Sequence, residues 1–201
     1  MPKLEFIFDF GSPNAYYAYK VLPDILARTG AGMTLQPVLL GGLFKITGNQ
    51  PPMQAFGGVK GKMDYEMLEN RRFAEKHQLN DFRFNAHFPV NTISIMRGLL
   101  AARELGCETQ YIEVVLSAMW EQNLKMDDPD VIATALTDGG LDAGAIMALT
   151  QTDPIKEKLK ANTQAAADRG AFGIPTFFVG DEMFFGKDRL GQVEDELRRV
   201  Q

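Results

Sequence analysis

Leu4-Glu5-Phe6-Ile7-Phe8-Asp9-Phe10-Gly11-Ser12-Pro13-Asn14 is the stretch on which the fold turns. Its first seven residues are β-prone, short and only loosely alternating, which reads as a mostly buried strand. Gly11 breaks the strand. Ser12 followed by Pro13 is the expected N-cap and first helical position, and Asn14 through Ala27 carry the helix on. Gly30-Ala31-Gly32 ends it, and Met33-Thr34-Leu35-Gln36-Pro37-Val38 reads as a second strand. The chain therefore opens as β-α-β.

Beyond Leu39 the character changes. Gly41-Gly42, Gly48-Asn49 and Pro51-Pro52 predict a long irregular connection. Helical periodicity then dominates over Asp64–His77, Thr92–Leu105, Thr109–Asn123, Pro129–Gly139, Asp142–Thr150 and Pro154–Arg169. Asp128-Pro129 and Asp153-Pro154 have the chemistry that starts helices. At the end, Gly173-Ile174-Pro175-Thr176-Phe177-Phe178-Val179 is a strand entered through proline, Gly180-Asp181 a turn, and Glu182-Met183-Phe184-Phe185 a second strand of a hairpin. Asp188 is then expected to cap a last helix running to Arg199. The expected plan is α/β. Residues 1–40 and 171–201 form one sheet-bearing domain, 41–153 an inserted helical domain, and 154–170 a connecting helix.

Composition narrows the function. The chain has 201 residues, 45% hydrophobic and 23% charged, with a net charge of -5. An acidic balance argues against nucleic-acid or anionic-membrane partners, which need basic patches. No run approaches the roughly 18 apolar residues of a membrane span. Met1-Pro2-Lys3-Leu4-Glu5-Phe6 carries no apolar signal core. One cysteine, Cys107, allows no internal disulfide and fits a reducing compartment. The expected location is the cytoplasm.

Several side chains have both a structural and a chemical reading. Ser12 is an ordinary N-cap on one view; Pro175, opening an apolar strand, marks an edge, bulge or cis turn. Together, at the two ends of one interrupted sheet, they form a candidate site. His77 and His87 have no acid or cysteine at ligand spacing, so packing or surface roles are expected of them. Trp120, Met119 and Phe44 fit either the core or an aromatic pocket. Lys60, Lys62, Arg71 and Arg72 are either a solvated helix face or a source of cations for carboxylates.

Phe8-Asp9-Phe10-Gly11-Ser12-Pro13-Asn14-Ala15-Tyr16, Gly48-Asn49-Gln50-Pro51-Pro52 and Phe88-Pro89-Val90-Asn91-Thr92 form one set of motifs. Ala171-Phe172-Gly173-Ile174-Pro175-Thr176 with Phe185-Gly186-Lys187-Asp188-Arg189-Leu190 form another. In order and spacing they resemble the 2-hydroxychromene-2-carboxylate isomerases and the related kappa-class glutathione transferases, in the DsbA-like branch of the thioredoxin fold. The resemblance implies a thioredoxin-like domain with a large helical insertion. It also implies a homodimer and a glutathione-dependent isomerase of aromatic-compound catabolism, converting 2-hydroxychromene-2-carboxylate to trans-o-hydroxybenzylidenepyruvate or a close analogue. Ser12 would stand beside the glutathione sulfur, and Pro175 would be cis. Ile174 would pair its backbone with the cysteinyl backbone of glutathione. Asn49, Lys62, Lys187 and Asp188 would complete the glutathione site, with Phe10, Tyr65 and Trp120 around the aromatic substrate. Kappa-class transferases usually carry serine where this chain has Lys187.

A thioredoxin-type redox site needs one cysteine at the helix start and another a turn later. Those places hold Ser12 and Ala15, so no disulfide can form there. The free N–H groups of the helix start remain, and they favour an anion. A thiol of pKa about 8.5 is only a few per cent ionised at neutral pH, and lowering it by two units takes about 2.7 kcal/mol. A hydrogen bond from the Ser12 hydroxyl to a charged partner contributes roughly 1.5–3 kcal/mol. The helix N-terminus adds up to about 1–2 kcal/mol. No metal is required. Two other outcomes share these residues: a kappa-like transferase forming a stable conjugate, and a non-catalytic thioredoxin-like binding module.

Overall fold

The computed structural model describes residues 2–200. Its sheet has the order β2-β1-β3-β4. Strand β1 (Lys3–Phe8) runs parallel to β2 (Gly32–Pro37), as a strand–helix–strand unit requires. It is antiparallel to β3 (Thr176–Val179), which turns back into β4 (Glu182–Phe185). β1 is central and covered on both faces: Leu4, Phe6, Ile7 and Phe8 are all buried. That explains its near-continuous apolar sequence, since a half-exposed strand would alternate. Phe6 lies opposite Phe177, their ring centres 5.0 Å apart.

Helix α1 (Pro13–Thr29) follows β1 immediately. Ser12 caps it, accepting the Ala15 N–H, and Pro13 takes the first position, where no N–H partner exists to lose. The helix runs on past Pro23 and ends at Gly30, whose φ of 61° is the left-handed cap geometry. Between β2 and β3 lie α2 (Leu40–Thr47), α3 (Pro52–Phe56), α4 (Lys62–Lys76), α5 (Ile93–Glu104), α6 (Glu108–Trp120), α7 (Pro129–Asp138), α8 (Ala143–Thr150) and α9 (Asp153–Asp168). A short 3-10 turn, Lys187–Arg189, leads into α10 (Leu190–Arg199). Buried apolar residues of sheet and helices join in one continuous cluster. No helix among the described residues is long and apolar enough to cross a membrane.

Two expectations are corrected. The connection after Leu39 is not irregular: it holds α2 and α3. Sequence reading missed α2 because Leu39, at its N-cap, offers no capping side chain. The caps come from elsewhere. Asp9 accepts the Leu40 N–H at 2.7 Å and Thr163 of α9 accepts the Leu39 N–H at 3.0 Å. Asp188 does not cap the last helix. It falls inside the 3-10 turn, α10 begins at Leu190 without a side-chain cap, and the Asp188 carboxylate pairs with Lys187 at 3.3 Å.

Candidate functional site

Ser12 and Ile174 are 162 positions apart in sequence and in direct contact in the fold. The Ser12 hydroxyl, 5% exposed, donates to the Ile174 carbonyl at 2.9 Å while its oxygen accepts the Ala15 N–H at 3.2 Å. The Ile174–Pro175 peptide is cis. Pro175 lacks an N–H, and its carbonyl accepts the Gly186 N–H at 2.9 Å, which draws the turn carrying Lys187 against the same proline. Asn49 arrives on the loop after α2, its side-chain amide donating to the Phe172 carbonyl at 2.8 Å. Ser12, Asn49 and Gly186 thus hydrogen-bond to one loop, 172–175, and Lys187 follows Gly186 directly in the chain.

Lys187 is the unusual member. Its side chain is 3% exposed, yet among the described residues its ammonium meets only an exposed carboxylate, Asp188, at 3.3 Å and the face of Phe73 at 5.2 Å. A buried ammonium has three donors to satisfy, and leaving them idle is costly. The arrangement suits an incoming carboxylate.

Beside the loop, the rings of Phe172 and Phe185 meet at 4.6 Å and stay partly exposed. Phe185 lies over Gly173, where an added Cβ would come within 2.8 Å of the ring. A glycine is required for that closeness.

Four of the residues singled out from the sequence lie apart from this cluster. Lys62 opens α4, paired with Glu66 at 2.6 Å and lying over Phe56. It is eleven residues before Phe73, roughly 16 Å along the helix at 1.5 Å per residue. Tyr65 is exposed on the same helix. Phe10 and Trp120 are fully buried, and the Trp120 indole N–H is already donated to the Phe10 carbonyl at 2.9 Å. As pocket-lining residues these two are corrected: both side chains are sealed in the core, and Trp120 stacks on Phe82. Of the basic cluster, Lys62 and Arg72 are each paired with a glutamate on their own helix. His77 packs against Phe73 with the rings tilted and their centres 4.4 Å apart, and burial, then Lys76, lowers its pKa below the ordinary value.

Asp9 was not singled out from the sequence. It is wholly buried three residues before Ser12, and burial pushes its carboxyl above the usual range against the opposing bonds from Leu40, Gly11 and Thr92. A charge-capable residue inside the apolar run Leu4–Phe10 was the available signal, since aspartate is seldom fully buried. A groove of about 700 Å³ between α1, α6 and α7, with Lys20, Glu113, Val114, Glu121 and Val131 among its walls, shares no residue with the Ser12 cluster. Converging donors, not open volume, mark the site.

With this geometry in place, known proteins can be set beside it. A family model of the DsbA-like thioredoxin domain matches residues 3–198. 2-Hydroxychromene-2-carboxylate isomerase of Sphingobium xenophagum is 30% identical over 96% of this chain and 97% of its own. Glutathione S-transferase kappa 1 of Rattus norvegicus is 29% identical over 93% and 87%. A solved 2-hydroxychromene-2-carboxylate isomerase superposes with a TM-score of 0.84 at 27% identity, covering 98% of this chain and 95% of that one.

Proposed function

This chain belongs to the DsbA-like thioredoxin family, among the 2-hydroxychromene-2-carboxylate isomerases, and on that premise we propose that it is a glutathione-dependent isomerase of a small aromatic compound. The observation that carries the reading is the Ser12 hydroxyl, held at the start of α1 against the carbonyl that precedes a cis proline, in a site with no cysteine of its own. The residues fit glutathione. The start of α1 favours an anion, the Ile174 carbonyl stands beside it with the Ser12 hydroxyl as its donor, and Lys187 is a buried cation whose ammonium meets one exposed carboxylate. Bound glutathione would supply a thiolate able to add reversibly to a conjugated carbon, turning a double bond into a single bond that can rotate before elimination restores the double bond and the thiolate.

The chain's own residues do the rest. Ser12 has one proton, spent here on the Ile174 carbonyl. With glutathione bound, the Ile174 carbonyl would be available to its cysteinyl backbone, and the Ser12 hydroxyl would then be free to donate to its sulfur. Asn49 holds the loop at Phe172, and its placement there lets it turn to the peptide of the cofactor. Lys187 and Asp188 form the ion pair that meets the zwitterionic γ-glutamyl end. Lys62 and Tyr65, on α4, serve the remoter carboxylate and the outer edge of the substrate. Phe172 and Phe185 offer the aromatic surface beside the sulfur, while Phe10 and Trp120 support the site from behind. The proposal includes a cytoplasmic location and a homodimer, the second of which sedimentation of the purified protein tests.

Turnover of 2-hydroxychromene-2-carboxylate with and without glutathione, followed by thiol mass balance, tests the function. An isomerase needs glutathione and conserves it. Depletion of the thiol in step with product would make the protein a transferase, and equal rates without glutathione would end the proposal. Absence of glutathione binding would leave a non-catalytic module.

A further inference from the structure

The proposed chemistry leaves the Asp9 carboxylate unused, although it joins three separate segments around the site. Its Oδ1 accepts the Gly11 N–H at 2.8 Å, and its Oδ2 accepts the Leu40 N–H at 2.7 Å and the Thr92 hydroxyl at 3.0 Å. Those donors belong to the turn before α1, the head of α2 and the head of α5. Taking a carboxylate out of water is expensive unless the protein returns hydrogen bonds of this kind. Neither N-cap residue bonds its own helix through its side chain: Leu39 has no polar group to offer, and the Thr92 hydroxyl goes to Asp9, while Asn91 accepts the Ile93 N–H. The packing is tight as well as polar. A Cβ on Gly11 would lie 3.1 Å from Thr92 Cγ2 and 3.3 Å from Asp9 Oδ1.

The consequences run to both sides of the site. Three residues after Asp9 stands Ser12, bonded to Ile174. Eight residues of α2 lead from Leu40 to Thr47, and Asn49 follows, bonded to Phe172. Moving Asp9 therefore moves Ser12 and Asn49 together, at two points of the same loop.

We propose that Asp9 is a positioning residue of the thiol site, a buried clamp that holds the Ser12 turn and the head of α2 in one register. It touches neither cofactor nor substrate. The inference rests on the glutathione reading only for the identity of the ligand.

Thr92→Val tests it, deleting one donor to Asp9 at nearly constant shape, with Thr92→Ser as the variant that restores the donor. In the unliganded protein, amide hydrogen exchange of residues 10–16 and 39–47 should quicken about tenfold or more in Thr92→Val, the factor a hydrogen bond to a charged group is worth. Exchange in α10 should stay at the wild-type rate. Thr92→Ser should return both segments to wild type, and glutathione affinity should fall and recover in parallel. Wild-type exchange in Thr92→Val overturns the clamp, as does quickening spread evenly through α10 or a failure of Thr92→Ser to rescue. If the wild-type protein binds no glutathione, the proposed function fails, and the exchange comparison still decides the clamp.

Discussion

Replacing Ser12 by alanine separates what the hydroxyl does for the fold from what it does for a bound thiol. In the free protein the substitution removes an N-cap, which costs about 1 kcal/mol. It also leaves the buried Ile174 carbonyl without its 2.9 Å donor, roughly 1–3 kcal/mol more. A loss of about 2–4 kcal/mol lies within the 5–15 kcal/mol of a typical domain, so the variant folds. In the glutathione complex the lost bond is one to a charged sulfur, about 1.5–3 kcal/mol. At 1.36 kcal/mol per pH unit, the bound thiol should titrate about one to two units higher in Ser12→Ala. That returns most of it to the neutral form at neutral pH. The ultraviolet absorbance of the thiolate, followed against pH in the saturated complex, reads this shift directly; urea unfolding of the free protein reads the stability. A bound thiol that titrates at the same pH in both proteins would refute the role of Ser12. Unchanged unfolding would refute the assignment of two useful hydrogen bonds to its hydroxyl.

Ser12→Cys should place an acidic thiol at the start of α1 and form a mixed disulfide with oxidised glutathione, one glutathione thiolate leaving for each bond made; intact-mass measurement showing no adduct would place the cofactor sulfur elsewhere. Lys187→Met should weaken glutathione binding at least about tenfold while leaving the stability equal or higher, because the ammonium is buried with one distant partner; calorimetry giving wild-type affinity would remove Lys187 from the site. Glu194 gives a prediction in pH. Arg28, with Arg198, holds its carboxyl down at about 2, against an ordinary value of 4.5. A lowered folded-state value stabilises the protein above the ordinary value, and the gain disappears as pH falls from 4.5 towards about 2. Glu194→Gln should thus be the less stable protein at neutral pH, by under about 1 kcal/mol for so exposed a pair, and match the wild type near pH 2. Urea midpoints that keep a constant gap across that range would contradict the assignment.

The elements read correctly from the sequence are those whose signals are local. Ser12-Pro13 starts α1 with its own side chain, Asp128 caps α7 with its own carboxylate, and Gly180-Asp181 joins two strands that are neighbours in sequence. The misread ones depend on distant partners. α2 begins at Leu40-Gly41-Gly42, a poor helix start in isolation, and is held by Asp9 and Thr163, contributed from 31 and 124 positions away. Trp120 and Phe10 have the composition of an aromatic pocket. Only the fold shows the indole N–H spent on the Phe10 carbonyl, which leaves both rings in the core.

The sequence by itself determined that the helix start carries Ser12 and Ala15 in place of two thiols. It also determined that a strand and proline return near the end of the chain and that its motifs are those of one family. These follow from residue identity and short-range geometry, which no packing can alter. Tertiary structure alone decided which carbonyl receives the Ser12 proton, that Lys187 lies buried with so little company, and that Asp9 ties together segments from three parts of the chain. Hydrogen-bond partners and desolvation belong to what surrounds a side chain, and for these residues the surroundings come from positions far away in sequence.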